Sequence, residues 1–128
     1  MGNRAVIAFG DCASSTKGIY VHWNGGRASI EGFLAAASDL NLRSPEQVRD
    51  MIKLWMGNST VELARCDHLD CDNYDNGVYI VERALERFEI IGRLYQRGDE
   101  EFNAVKTENI RSECVAKWRE RYPQGVLQ

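Results

Sequence analysis

Residues able to do chemistry gather in three places along this chain. The first is a run rich in acids and amides: Asp67, Asp70, Asp72, Asn73, Asp75, Asn76 and Gly77. Side-chain amides both donate and accept, so Asn73 and Asn76 suit the edge of a base or a ribose. Tyr79 follows directly, and with Trp23 and Tyr74 it offers a ring for base stacking or for ordinary packing. The run also has a purely structural reading, an Asp-Asn-Gly hairpin turn into a strand that starts at Val78. An EF-hand is excluded. With Asp72 at position 1, position 3 falls on Tyr74 and position 12 on Arg83, where a bidentate Glu is required.

The second place is the C-terminal segment, where Arg111 and Arg119 stand eight residues apart. On a 3.6-residue period they share roughly one face of a helix. Two guanidinium forks there suit a pyrophosphate, although a solvated charged face produces the same spacing. Glu113 and Lys117, at i and i+4, fit simple surface pairing. The third place is the turn Asn24, Gly25, Gly26 and Arg27, set between a strand and a helix start. Glycines there permit positive φ, and amides at a helix start favour anions. An ordinary strand–helix turn fits equally well. Neither the Walker spacing nor the dinucleotide fingerprint is present.

Catalytic and metal chemistry find less support. His22 and His68 are the two histidines, and neither stands in a nucleophile arrangement. His22, on a strand, reads as a packed or hydrogen-bonded residue. The cysteines are Cys12, Cys66, Cys71 and Cys114. Cys66-x-His68-x2-Cys71, with Cys12 as a distant fourth ligand, lacks the paired spacing of a zinc site. Small buried or half-buried thiols are expected instead. No catalytic residue, metal or cofactor is therefore expected.

The elements that must position these groups follow from the patterning. The 128 residues, 44% hydrophobic and 27% charged with two prolines, suit a single domain over residues 1–128. A net charge of −3 argues against a surface that coats long nucleic acid. No apolar run reaches a membrane span, no signal segment is evident, and Val6 stands where myristoylation needs Ser or Thr. The expected compartment is the cytoplasm, without a membrane partner.

Strands are expected over Arg4–Phe9 and Gly18–Trp23, joined as an antiparallel hairpin through Asp11–Lys17. From Ser29 the spacing of Ile30, Phe33, Leu34, Ala37 and Leu40 predicts a helix ending near Asn41. Ser44-Pro45-Glu46-Gln47 starts a second, with Ser44 as cap and Gln47 completing a capping box, and Gly57-Asn58 stops it. Further strands are expected at Ser59–Cys66 and Val78–Val81. A last strand over Phe88–Tyr95 follows a turn at Arg83–Glu86, with a helix over Glu82–Ile91 as the alternative. Arg97–Glu100 reads as a loop, and a C-terminal helix carries Ile110, Cys114, Val115, Trp118 and Tyr122 and stops before Pro123. The fold class is α+β, a mainly antiparallel sheet with two central helices on one face and a C-terminal helix.

Met1–Ile7, the block Gly18-Ile19-Tyr20-Val21-His22-Trp23-Asn24-Gly25-Gly26-Arg27, and the run from Leu69 through Tyr79 resemble the first family of phage Thoeris anti-defence proteins. The resemblance spans residue 1 to the strand at 78 and is weakest over the C-terminal helix. It implies a small α+β protein that sequesters cyclic ADP-ribose isomers made by bacterial TIR-domain sensors, without cleaving them. It further implies pockets between protomers, a homo-oligomer (dimer or hexamer), and in some members a separate site for cyclic trinucleotides. By resemblance, Asn76, with Asn73 beside it, takes the role of the pocket asparagine, and Arg111 and Arg119 are the candidates for the phosphates. No Phe lies in the corresponding stretch before Asn76, which leaves the aromatic partner unassigned. The turn Asn24–Arg27 is the candidate second nucleotide site. Two other classes stay open: an inhibitor that binds a host defence protein directly, and a hydrolase of the same signal.

Overall fold

A computed structural model describes residues 2–10, 16–57, 59–97 and 102–123. Its elements run β1 (Ala5–Ala8), β2 (Lys17–Val21), α1 (Arg27–Asp39), α2 (Pro45–Met56), β3 (Val61–Arg65), β4 (Val78–Ala84), β5 (Arg87–Leu94) and α3 (Ala104–Arg121). The five strands form one sheet in the order β3-β2-β1-β4-β5. Neighbours are antiparallel except β1 and β4, which run parallel with Val6 opposite Val78. The fold is thus the expected α+β class.

β1 lies at the centre of the sheet and is covered on both faces. Its sequence, Ala-Val-Ile-Ala, is accordingly apolar throughout instead of alternating. Ile7, Ile19, Val21, Tyr79, Val81 and Phe88 belong to the main core, which they share with α1 and α2. Val6, Ala8 and Val78 belong to a second, smaller cluster with Cys66, Leu69 and Cys71. α3 packs on α1 and α2 through Ile110, Cys114 and Trp118, one helical turn apart. A Cβ at Gly32 of α1 would stand 2.9 Å from Ile110 Cβ, so this glycine lets the two helices approach.

α2 begins as its sequence implies. Ser44 Oγ accepts from the Gln47 amide at 3.2 Å and Pro45 takes the first turn. Gln47 Oε1 reaches one residue further back than a capping box does, accepting from the Arg43 amide at 2.7 Å. Gly57, at φ 71°, ends the helix.

Several expectations are corrected. The run 67–77 is not a hairpin turn. β3 lies at one edge of the sheet, and the chain must pass β2 and β1 to reach β4. Cys66 opens a short 3-10 turn, Cys66–His68, instead of closing the strand. Over 82–95 the expected strand and turn hold, in place of the helical alternative: β4 and β5 form a hairpin that turns at Leu85 and Glu86, with φ of 53° and 65°. Most of the proposed Asp11–Lys17 connection, including Cys12, lies outside the described residues, as do Asn58 and Gly98 to Glu100 of the proposed loop.

Candidate functional site

The acid- and amide-rich run is largely committed to holding itself in place. Asn73 is 1% exposed. Its Nδ2 donates to the carbonyls of Asp70 and Gly77, and its Oδ1 accepts from the amides of Asp75 and Gly77. Four hydrogen bonds leave no capacity for a ligand. Tyr79 is fully buried, its hydroxyl donating to Gly25 O at 2.7 Å and its ring beneath the Arg93 guanidinium. Of the residues expected at the ligand, Asn73 thus organises its own loop and Tyr79 braces the turn before α1. Asp75 accepts from Arg4 Nε at 2.7 Å and from the Arg4 amide, which holds its carboxyl below the usual range.

Asn76 is different. It is half-buried, and its Nδ2 donates to Asn3 Oδ1 at 2.6 Å and Arg4 O at 3.0 Å. It lines an open hollow of about 650 Å³ together with Asn3, Arg27, Ser29, Phe102 and Lys106. The hollow thus joins one residue of the first expected cluster to part of the third.

The turn that feeds this hollow owes its shape to Gly25 and Asn24. Positive φ falls on Asn24, at 60°, and not on Gly25 or Gly26. Gly25 is needed for close approach, because a Cβ there would meet Asn3 O at 2.5 Å. Its amide donates to that same carbonyl at 2.8 Å. Gly26 is then the residue before α1 and carries no side chain to cap it. No acid stands in the first turn of α1. Arg27 is exposed, pairs with Glu31 at 3.3 Å, and lies 4.9 Å over the Phe102 ring. Across the hollow, Asn103 caps the start of α3, accepting from the Lys106 amide at 3.0 Å.

Arg111 and Arg119 do share one hollow, on the outer side of α3 with Asp39 and Glu108. Arg111 is already held there. Its Nε and a terminal nitrogen grip Asp39 at 2.6 and 2.8 Å, which raises the guanidinium pKa further. Arg119 is exposed at the rim. Asp39 ends α1 and Arg27 begins it, so the two hollows sit at opposite ends of a helix of 13 residues, about 20 Å long. A single subunit does not bring Asn76 to Arg111.

The remaining chemistry-bearing groups are structural in character. His22 Nδ1 lies 2.9 Å from Tyr20 Oη, and its ring meets Trp23 edge-on. Cys66 and Cys71 have sulfurs 3.7 Å apart, while His68 is turned toward Asp67. Cys114 is buried between helices, and burial pushes its thiol up to about 12. Glu113 accepts from Trp55 Nε1 at 3.0 Å, which gives it a tertiary role.

Asn3, Ser29, Phe102 and Lys106 escaped the sequence reading. Two of them had a readable signal. Asn103 before a helical run marks a cap, which places Phe102 and Lys106 at a helix start. Gly26 before an acid-free first turn marks a helix start without one. Comparison with known proteins leaves the chain to be read from this geometry: no family model matches it, and no curated protein or solved structure does either.

Proposed function

We propose that the chain is a non-catalytic sponge that binds and sequesters cyclic ADP-ribose isomers in the host bacterial cytoplasm. In doing so it blocks anti-phage signalling. One observation supports this best: the hollow at the start of α1 combines the chemistries such a ligand demands. Asn3 Nδ2 and Asn76 Oδ1 offer a donor and an acceptor for a base edge or ribose, Phe102 a ring for stacking, and Arg27 and Lys106 cations for phosphate. None of the described residues lining it is acidic.

Sequestration in competition with a receptor requires about nanomolar affinity, roughly −12 kcal/mol. An open hollow encloses too little of a dinucleotide-sized ligand to reach this alone. A second subunit closing over it supplies the missing wall, and the proposal therefore includes a homo-oligomer, dimer or hexamer. Arg111 and Arg119 reach the same ligand only from such a neighbouring subunit, and Arg111 must exchange Asp39 for phosphate to do so. The turn Asn24–Arg27, the candidate second nucleotide site, contributes Gly26 and Arg27 to this same hollow.

Incubation with cyclic ADP-ribose isomers, removal of unbound nucleotide and heat denaturation tests the reading. Release of intact ligand is expected. Release of an altered product would establish the hydrolase, and no uptake would leave direct inhibition of a host defence protein in its place.

A further inference from the structure

We propose that the start of α1 is a phosphate site, in which a phosphoryl group takes the capping position that no side chain fills. The inference deepens the proposed function by assigning the anionic end of its ligand, and it rests on the hollow of that reading, not on the nucleoside. Two independent observations meet here. First, the Ala28 and Ser29 amides have no hydrogen-bond partner among the described residues, whereas Ile30 already bonds to Gly26 O. Amides left open at the start of a 13-residue helix present partial positive charge to the hollow. Second, Ser29 lines the same hollow, is fully buried, and its Oγ has no hydrogen-bond partner among the described residues. A buried hydroxyl without a partner is rare in a folded protein and calls for a missing acceptor.

Charge agrees with this assignment. The described residues around the hollow carry two cations, Arg27 and Lys106, and no carboxylate, in a chain whose net charge is −3. Glu31 is the acid nearest in sequence, and it pairs with Arg27 on the other side of that side chain, in a separate hollow. A phosphate at the helix start accepts from the Ala28 and Ser29 amides and from Ser29 Oγ. Arg27 and Lys106 then balance its charge.

The test is an amide-resolved NMR titration of the whole chain with inorganic phosphate, repeated with a cyclic ADP-ribose isomer. Saturable shifts centred on Ala28 and Ser29 are expected with phosphate, and phosphate is expected to compete with the nucleotide. Ser29→Ala should weaken phosphate binding about 10-fold, and Arg27→Gln by a similar factor, with Lys53→Gln, on the exposed side of α2, unchanged. Scattered shifts that do not saturate, or equal binding by the Ser29→Ala chain, would overturn the assignment. Phosphate binding without nucleotide uptake upholds the site and removes the sponge. Nucleotide uptake that ignores both phosphate and Ser29→Ala upholds the sponge and removes the site.

Discussion

The starts of α1 and α2 are built from the same backbone but finished in opposite ways. At α2, Ser44 accepts from the Gln47 amide, Gln47 reaches back to the Arg43 amide, Pro45 removes one donor, and Glu46 sets a negative charge in the first turn. Each device answers the open amides and partial charge that every helix start carries. At α1 none of them is present. Gly26 offers no cap, the first turn has no acid, and Arg27 adds positive charge where a carboxylate would be favourable. Ser29, three residues past Gly26, is buried with a hydroxyl that meets no partner among the described residues. A helix start satisfied from within stabilises the fold; one left open keeps its donors for something outside the chain.

Substitutions can break this contrast from either side. The largest effect is expected for Arg27→Glu. It reverses a charge at the open start, and uptake of cyclic ADP-ribose isomers should fall by at least about 100-fold, as loss and reversal of a charged hydrogen bond implies. Equilibrium binding measures it. Ser29→Ala should weaken uptake about 10-fold, the loss of one hydroxyl donor. The same change should leave the melting temperature of the unliganded chain level or higher, because it removes a buried unpaired group. A purely structural serine would instead lower the melting temperature and spare binding. Ser44→Ala should show the opposite pattern, destabilising the fold by about 1 kcal/mol with uptake unchanged. The smallest effect concerns the loop beside the hollow. The Asp75 carboxyl is depressed by its hydrogen bond from Arg4, so its contribution to stability is present above the ordinary carboxylate pKa. It is lost as pH falls through the depressed value. Melting curves between neutral pH and pH 3 should therefore fall less steeply for Asp75→Asn than for the parent.

The same contrast explains what was legible in the sequence. α2 was legible in all but the reach of Gln47 because its signals are local: a cap, a proline, an acid and a terminating glycine within one short segment. The strands were legible from their apolar runs, and α3 from the spacing of Ile110, Cys114 and Trp118. The site was only partly legible, because most of its determinants are tertiary. Asn73 looked available until four backbone groups of its own loop closed around it. Tyr79 follows a polar loop, yet it is buried in the main core, where its hydroxyl reaches Gly25. Arg111 reads as a basic residue until Asp39, 72 positions away, occupies its fork. Parallel pairing of β4 with β1 brings Asn76 to Asn3 and so to the start of α1, and no local pattern encodes that pairing. Gly25 illustrates a subtler limit. Its importance was visible, but the reason is close approach to Asn3, not positive φ.

The most direct test gives α1 the cap it lacks. Gly26 has an extended conformation, φ −68° and ψ 160°, that aspartate adopts without strain. Thermal melting and cyclic ADP-ribose uptake are to be measured on the same Gly26→Asp chain. If the open start of α1 is the anion site, the carboxylate occupies it from within: the melting temperature rises and uptake collapses. A melting temperature that rises while uptake stays at the parent level would contradict the account.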